Sequence, residues 1–336
     1  MVRKRKVSIA DVAARAGVSI ATVSRVLNKI PTVNKDNQSK VEEAIAALKY
    51  EPDVNAQRLA SGRSNALGLV MPGYPGIFYS FYAVEIIRGV GHACETLRLD
   101  LVFHITNGYN PLHAHSVGGI IFADIIENRK QVETALAADI PCLVINNVVH
   151  DLEVNYIGID NLVGGEAAAD YLVSLGHSRI ATITGSLQTQ SGAQRHEGFQ
   201  NILHRKNVPA HPEYIFEGDY SRRSARLGTE KLLALPEPPT AIFAASDDMA
   251  LEVMAVVMEK GFKVPGDISV IGFDDNPACL YGPIGLTTIR QPLFQMAEEA
   301  VKYLQAIMTG KKKSLVQKVL TPQLVVRDSC AAPKKK

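Results

Sequence analysis

From residue 66 onward, short apolar runs alternate with longer stretches of helical periodicity, and few folds satisfy that pattern. The runs at 67–71, 99–105, 119–122, 142–145, 180–183, 241–244 and 269–272 have the length and composition of buried strands. Between them, 85–97, 164–175 and 249–260 place apolar residues at helical spacing. Strands that alternate with helices pair in parallel and need cover on both faces of the sheet. The roughly 270 residues from here on exceed what one such sheet normally uses. The expected core is therefore α/β, with two doubly wound parallel-sheet lobes. Ligands in such sheets sit beyond the carboxyl ends of the strands, which points to the cleft between the lobes.

The first 50 residues follow a different period. Ile9, Val12, Ala13 and Ala16 share one face of a short helix, with Ser8 as its N-cap and Gly17 free to turn with positive φ. Ser19 opens a second helix whose buried stripe is Val23, Val26 and Leu27. A third starts at Asn34, turns Val41, Ala44, Ile45 and Leu48 inward, and ends near Tyr50, ahead of Pro52. This is an all-α helix-turn-helix head, whose second helix offers its N-terminal residues to a major groove. Ile20, Ala21 and Arg25 point outward, and Arg25 has the fork that pairs bidentately with guanine. Thr22, Ser24 and Asn28 are short donors suited to phosphate oxygens, and Ser8 and Ser19 sit at the helix starts beside them.

Charge divides the same way. Residues 1–65 carry 12 Lys and Arg against 6 Asp and Glu, while the rest carries 24 against 28. A basic head on a mildly acidic body suits a polyanion that meets the head alone. Arg3-Lys4-Arg5-Lys6 adds to that charge, although such a run by itself reads as a solvated terminus. No apolar run approaches the roughly 20 residues that span a bilayer, and no apolar stretch follows the basic start, so neither a membrane partner nor a signal peptide is expected. Cys94, Cys142, Cys279 and Cys330 are far apart and lack metal-ligand spacing. They read as thiols in a reducing compartment, with no metal and no cofactor expected and the cytoplasm as location.

The segments Asp11-Val12-Ala13, Ala16-Gly17-Val18-Ser19 and Thr22-Val23-Ser24-Arg25-Val26-Leu27-Asn28 resemble the LacI/GalR family of bacterial transcription regulators. The resemblance extends through Asp160-Asn161 with Gly164-Gly165, Leu175-Gly176-His177, Arg195 with Gly198-Phe199, Asp247-Asp248-Met249-Ala250, Asp267 to Asp275 and Leu286 to Pro292. It implies a DNA-binding head at 1–50, a hinge helix at 51–65 and a core of periplasmic-binding-protein type at 66–336. Lobe 1 is then about 66–160 with 292–322, and lobe 2 about 161–291 with 323–330. By the same match Leu59 is a minor-groove wedge and Ala56 lets paired hinge helices approach. Asn37-Gln38 stands where the family usually has Thr-Arg, which weakens phosphate contacts there. Only about a dozen residues separate the second and third strand runs, where the family usually has a full crossover helix. The chain runs only briefly past Arg327 without a heptad pattern, so a tetramer built on a C-terminal bundle is not expected.

No enzyme constellation emerges. The adjacent carboxylates Asp247-Asp248 and Asp274-Asp275 point apart, the former pair fitting a helix N-terminus. Gly89-Val90-Gly91 falls within a helix, not after a strand. His177 reads as structural, and His113 and His115 as loop residues. The effector candidates are Asp274, just past a strand's carboxyl end, to accept from hydroxyls, Arg195 to donate a planar fork across the cleft, and Tyr220 to cover an apolar ligand face. All three match effector positions of the family. Tyr82 and Asn146 match less closely, and Ser246 follows another strand end. Asp160 either orients Arg195 or caps the next helix.

The reading is a homodimeric, ligand-responsive repressor that binds double-stranded DNA at a pseudo-palindromic operator. Its expected effector is a sugar that releases DNA from carbohydrate-utilisation genes. A purine-like or phosphoprotein corepressor is the alternative, and a solute-binding protein a more distant one.

Overall fold

The computed structural model describes residues 7–27, 30–50, 64–73, 77–106, 116–125, 128–312 and 314–334. Asn28, Ala56, Leu59, His113, His115, the 3–6 basic run and most of the shortened crossover lie outside them. The chain divides into two compact units, residues 1–64 and 65–336.

In the first unit, α1 (Ile9–Ala16) starts with a reciprocal cap. The Ser8 hydroxyl accepts from the Asp11 amide while the Asp11 carboxylate accepts from the Ser8 amide, satisfying two otherwise orphaned donors. Gly17 ends the helix at φ 65°, a conformation strained for residues with a Cβ. Ser19 caps α2 (Ile20–Leu27) by accepting from Thr22 N–H, and Asn34 caps α3 (Lys35–Leu48) by accepting from Asn37 N–H. Val12, Val23 and Val41, one from each helix, are fully buried together.

The second unit holds two six-stranded sheets. The first contains β1 (Ala66–Pro72), β2 (Asp100–Thr106), β3 (Gly119–Phe122), β4 (Cys142–Asn146), β5 (Asn155–Ile159) and β11 (Gln317–Leu320), in the order β11-β5-β4-β3-β1-β2. The second contains β6 (Ile180–Thr184), β7 (Ile215–Glu217), β8 (Ala241–Ala244), β9 (Ser269–Asp274), β10 (Thr287–Arg290) and β12 (Gln323–Val325), in the order β12-β10-β9-β8-β6-β7. Every pairing is parallel except β10 with β12. One face of the first sheet packs on α4 (Phe81–Leu97) and α10 (Leu293–Met308), the other on α5 (Arg129–Ala137). The second sheet is covered by α8 (Arg222–Leu233) and α9 (Asp247–Glu259) on one face and by α6 (Asn161–Ser174) and α7 (Gln190–Arg205) on the other. Both sheets are thus doubly wound, as the alternation requires.

The chain passes between the sheets three times: from β5 into α6, from β10 into α10, and from β11 into β12. The first two passages leave a strand's carboxyl end and enter a helix N-terminus. They therefore gather the carboxyl ends of both sheets on one side, which is where the candidate effector residues fall.

Five strands were not evident in the sequence. β7 and β12 have only three residues, and β11 (Gln-Lys-Val-Leu) is an edge strand with exposed polar side chains. β5 and β10 carry Asn, Gly, Thr and Arg in place of an apolar run.

His177 has the structural role expected of it. Its Nε2 lies 2.9 Å from the Ala331 carbonyl, which only accepts, so that nitrogen carries the proton. Its Nδ1, 2.9 Å from the Thr240 hydroxyl, is then the acceptor. The ring fastens the C-terminal segment to the second sheet, and burial holds its pKa below the ordinary value of 6.5. The folded protein therefore binds fewer protons here than the unfolded chain just below pH 6.5. This contribution to stability is complete above that pH and declines as the pH falls through it. His177→Asn should cost about 1–3 kcal/mol at pH 7.5. The stability difference between wild type and variant should shrink from pH 7 to pH 5.5 in urea titrations, and a constant difference would refute this assignment.

Candidate DNA-reading and effector sites

On the head, α2 separates its faces sharply. Val23 is fully buried, whereas Ile20 is 51% exposed and Ser19, Ala21 and Arg25 are exposed beside it. Thr22 and Ser24 are half-buried, and the Thr22 hydroxyl lies 3.0 Å from that of Ser19. The Ser8 hydroxyl is engaged with Asp11 at the start of α1. A capped short helix thus presents an apolar residue, a methyl and a guanidinium, the mixture that reads thymine methyls and guanine edges.

On the core, Arg195 on α7 is a guanidinium only 5% exposed. Its Nε donates to Asn161 Oδ1 at 2.9 Å and its Nη1 to the Ala245 carbonyl at 2.6 Å. The guanidinium carbon lies 3.7 Å from the centroid of the Phe273 ring, a cation–π stack in a dry setting. Asp160 does not orient this side chain. It accepts from Val163 N–H and caps α6, and its neighbour Asn161 is the residue that reaches Arg195.

Asp274 ends β9 with φ 131°, and Gln291 Nε2 donates to its Oδ1 at 2.5 Å. Burial pushes this carboxyl well above the usual carboxylate range, against the pull of Arg195, and the nearby Asp247 raises it further. Asp247 is itself buried and raised by desolvation, with its oxygens accepting from the Thr288 hydroxyl and the Asn276 amide. It therefore does more than complement a helix dipole, tying α9 to the loop after β9. Asp275 points elsewhere, to Arg290 and Arg327.

Tyr220, at φ 67°, lays its ring over Gly185, where any Cβ would overlap it. Its hydroxyl lies 3.0 Å from that of Ser191. Ser246 uses its oxygen as the cap of α9, accepting from Met249 N–H. In the first lobe, the Tyr82 hydroxyl donates to the Ala123 carbonyl just past β3. Asn146 ends β4 at φ 69°, and its Oδ1 is buried without a hydrogen-bond partner among the described residues. An orphaned acceptor at a strand's carboxyl end is a position for a ligand donor.

Three polar residues escaped sequence reasoning. Asn161 and Gln291 lie within quoted motifs but carried no assigned role, and Gln190 had no signal at all. The Gln190 carboxamide, at the start of α7, clasps both main-chain groups of one residue of the other lobe. Its Oε1 accepts from Val148 N–H at 2.8 Å and its Nε2 donates to the Val148 carbonyl at 2.9 Å.

A reading helix in one unit and a two-lobed α/β core in the other define the class of ligand-responsive DNA-binding regulators. Residues 8–53 match the bacterial regulatory proteins of the lacI family, and 169–330 the periplasmic binding protein-like domain. The chain is 33% identical over 330 residues to the probable HTH-type transcriptional repressor ExuR of Bacillus subtilis (strain 168), covering 96% of this chain and 98% of that protein. It aligns with the lac repressor dimer bound to operator and the anti-inducer ONPF at TM-score 0.85 and 29% identity, over 98% of this chain and all of that one. It also aligns with the transcriptional regulator CelR in complex with cellobiose at TM-score 0.72 and 28% identity, over 96% of this chain and all of that one. The chain belongs to the LacI family. Among the described residues no helix is long and apolar enough to cross a membrane.

The clasp can be tested without a ligand. Gln190→Ala removes both bonds to Val148, so amide exchange across 146–150 should rise about tenfold or more while exchange in α9 stays unchanged. Unaltered exchange at 146–150 would show that the clasp contributes nothing.

Proposed function

We propose that the protein is a homodimeric transcriptional repressor whose head, about residues 1–50, reads one half of a two-fold-symmetric operator, and whose core, from about 66, binds a saccharide that releases the DNA. The head's part rests on one observation above all: α2 buries Val23 and leaves Ile20, Ala21 and Arg25 exposed on a capped helix. Ser19, Thr22 and Ser24 flank that face as phosphate donors, Ser8 fixes α1, and Asn28, Ala56 and Leu59 extend the contact by the family pattern.

The saccharide reading rests on the chemistry gathered at the strand ends. Arg195 offers donors, Asp274 and the Asn146 carbonyl oxygen offer acceptors, and Tyr220 offers a flat ring. A ring of hydroxyls with one apolar face satisfies donors, acceptors and an aromatic plate at once. Tyr82 adds a first-lobe aromatic, and Ser246 contributes through the cap that sets α9. The cellobiose bound by CelR supports this class. Because effector and operator act on one molecule, each must alter the other's affinity by the same factor.

The deciding experiment selects duplexes from a random pool with the full-length protein at fixed salt, then titrates the selected duplex with mono- and disaccharides and with purines. A saccharide that lowers DNA affinity is the expected result. A purine that raises it would replace inducer by corepressor, and failure to enrich any duplex would overturn the head's assignment. On the selected duplex, Arg25→Ala should relax preference at one base pair, at a cost of about 1–3 kcal/mol. A uniform loss on all sequences would make Arg25 a phosphate contact instead.

A further inference from the structure

We infer that Asn161 is the positioning residue of the effector site: it fixes the plane and direction in which Arg195 meets a ligand, and it does so from the crossover between the lobes. The inference rests on the saccharide reading above, because Arg195 is taken as a ligand donor.

Asn161 is completely buried, and both ends of its carboxamide are used. Its Oδ1 accepts from Arg195 Nε at 2.9 Å, and its Nδ2 donates to the Ile159 carbonyl at 3.2 Å. Ile159 is the last residue of β5 in the first sheet, and Arg195 belongs to a helix packed on the second. One amide therefore links the strand end of one lobe to the guanidinium of the other. The remaining freedom of Arg195 is removed by the Ala245 carbonyl in the plane and by the Phe273 ring beneath it. Among the described residues its Nη2 has no hydrogen-bond partner, so the fork presents that edge to a ligand.

The backbone of Arg195 is held by the same helix. Gly165 lies four residues after Asn161, on the same face of α6, and a Cβ added there would overlap the Arg195 carbonyl. One helical turn of α6 thus sets both the main chain and the side chain of Arg195. An amide suits the position better than a carboxylate. The Ile159 carbonyl needs a donor, and a further negative charge would add to Asp247 and Asp274, whose carboxyls burial already raises.

The first test needs no ligand. In full-length protein labelled with [15N]arginine, the Arg195 Nε–H resonance is assigned by its absence in Arg195→Lys. It should exchange slowly with water in the wild type, at least tenfold faster in Asn161→Leu, and slowly again in Asn161→Asp, which keeps an acceptor. Unchanged exchange in Asn161→Leu, with or without a drop in melting temperature, would overturn the positioning role. The second test uses the saccharide returned by the screen above, titrated calorimetrically. Asn161→Leu should weaken binding about tenfold or more, yet have no further effect in an Arg195→Ala background. Equal losses in both backgrounds would mean that Asn161 acts independently of Arg195. A loss-free Arg195→Ala would instead discard Arg195 as a ligand donor, leaving the exchange measurement to decide the positioning role.

Discussion

A guanidinium withdrawn from water is the constraint around which the second lobe is built. An ion desolvated to the degree of Arg195 costs several kcal/mol unless its N–H groups and its charge find partners. The chain answers with a carboxamide, a carbonyl and an aromatic face, each from a different element: Asn161 from α6, Ala245 from the end of β8, and Phe273 from β9. No carboxylate forms an ion pair with it among the described residues. Asp274 is close enough for its charge to be felt, but its own hydrogen bond comes from Gln291. Arginine and aspartate are thus held near each other without cancelling, and a ligand of hydroxyls can accept from one while donating to the other. A buried guanidinium beside a carboxyl that burial drives toward its neutral form is a poor use of polar groups for stability.

The elements that carry these groups were legible in the sequence to different depths. The head was read almost residue by residue, because caps, a turn glycine and a 3.6-residue period all act locally: Ser8, Gly17, Ser19 and Asn34 each do in the structure what their chemistry predicts. In the core, the interiors of strands and helices were found from their apolar runs, but the helix starts were read two to four residues late. The structure begins α4 at Phe81, α6 at Asn161 and α9 at Asp247. The starts of α6 and α9 are polar, Asn161 following the Asp160 cap and Asp247-Asp248 the Ser246 cap, and a hydrophobic period cannot register them; α4 differs, opening on the apolar Phe81–Val84 without a side-chain cap. Those first turns hold Tyr82, Asn161 and Asp247, so the least legible part of each helix is the part nearest the candidate site.

Long-range polar pairs were illegible for a further reason. Gln190 meets Val148 and Asn161 meets Arg195 across 42 and 34 residues, joining elements whose proximity depends on the whole sheet order. An asparagine after an N-cap or a glutamine opening a helix has many ordinary explanations, and nothing in its neighbours distinguishes them. Asp160 shows the difficulty: a cap and an arginine partner were both open to it, and the geometry gives the two tasks to adjacent residues.

Coupling between effector and DNA requires that the lobes have distinguishable arrangements and that ligands contact both. The polypeptide crosses between them three times, which limits relative motion to what short passages allow. Gln190 bridges the lobes with two hydrogen bonds to Val148, and Asn161 adds a third to the Ile159 carbonyl at the crossover. The two Gln190 bonds are worth little net, because water competes for these groups once the lobes part. Such contacts are cheap and reversible, in contrast to the apolar cores within each lobe, where separation would expose Phe243, Phe273 and their neighbours at prohibitive cost. Differential ligand binding supplies only a few kcal/mol, and contacts of this size are the ones it can outweigh.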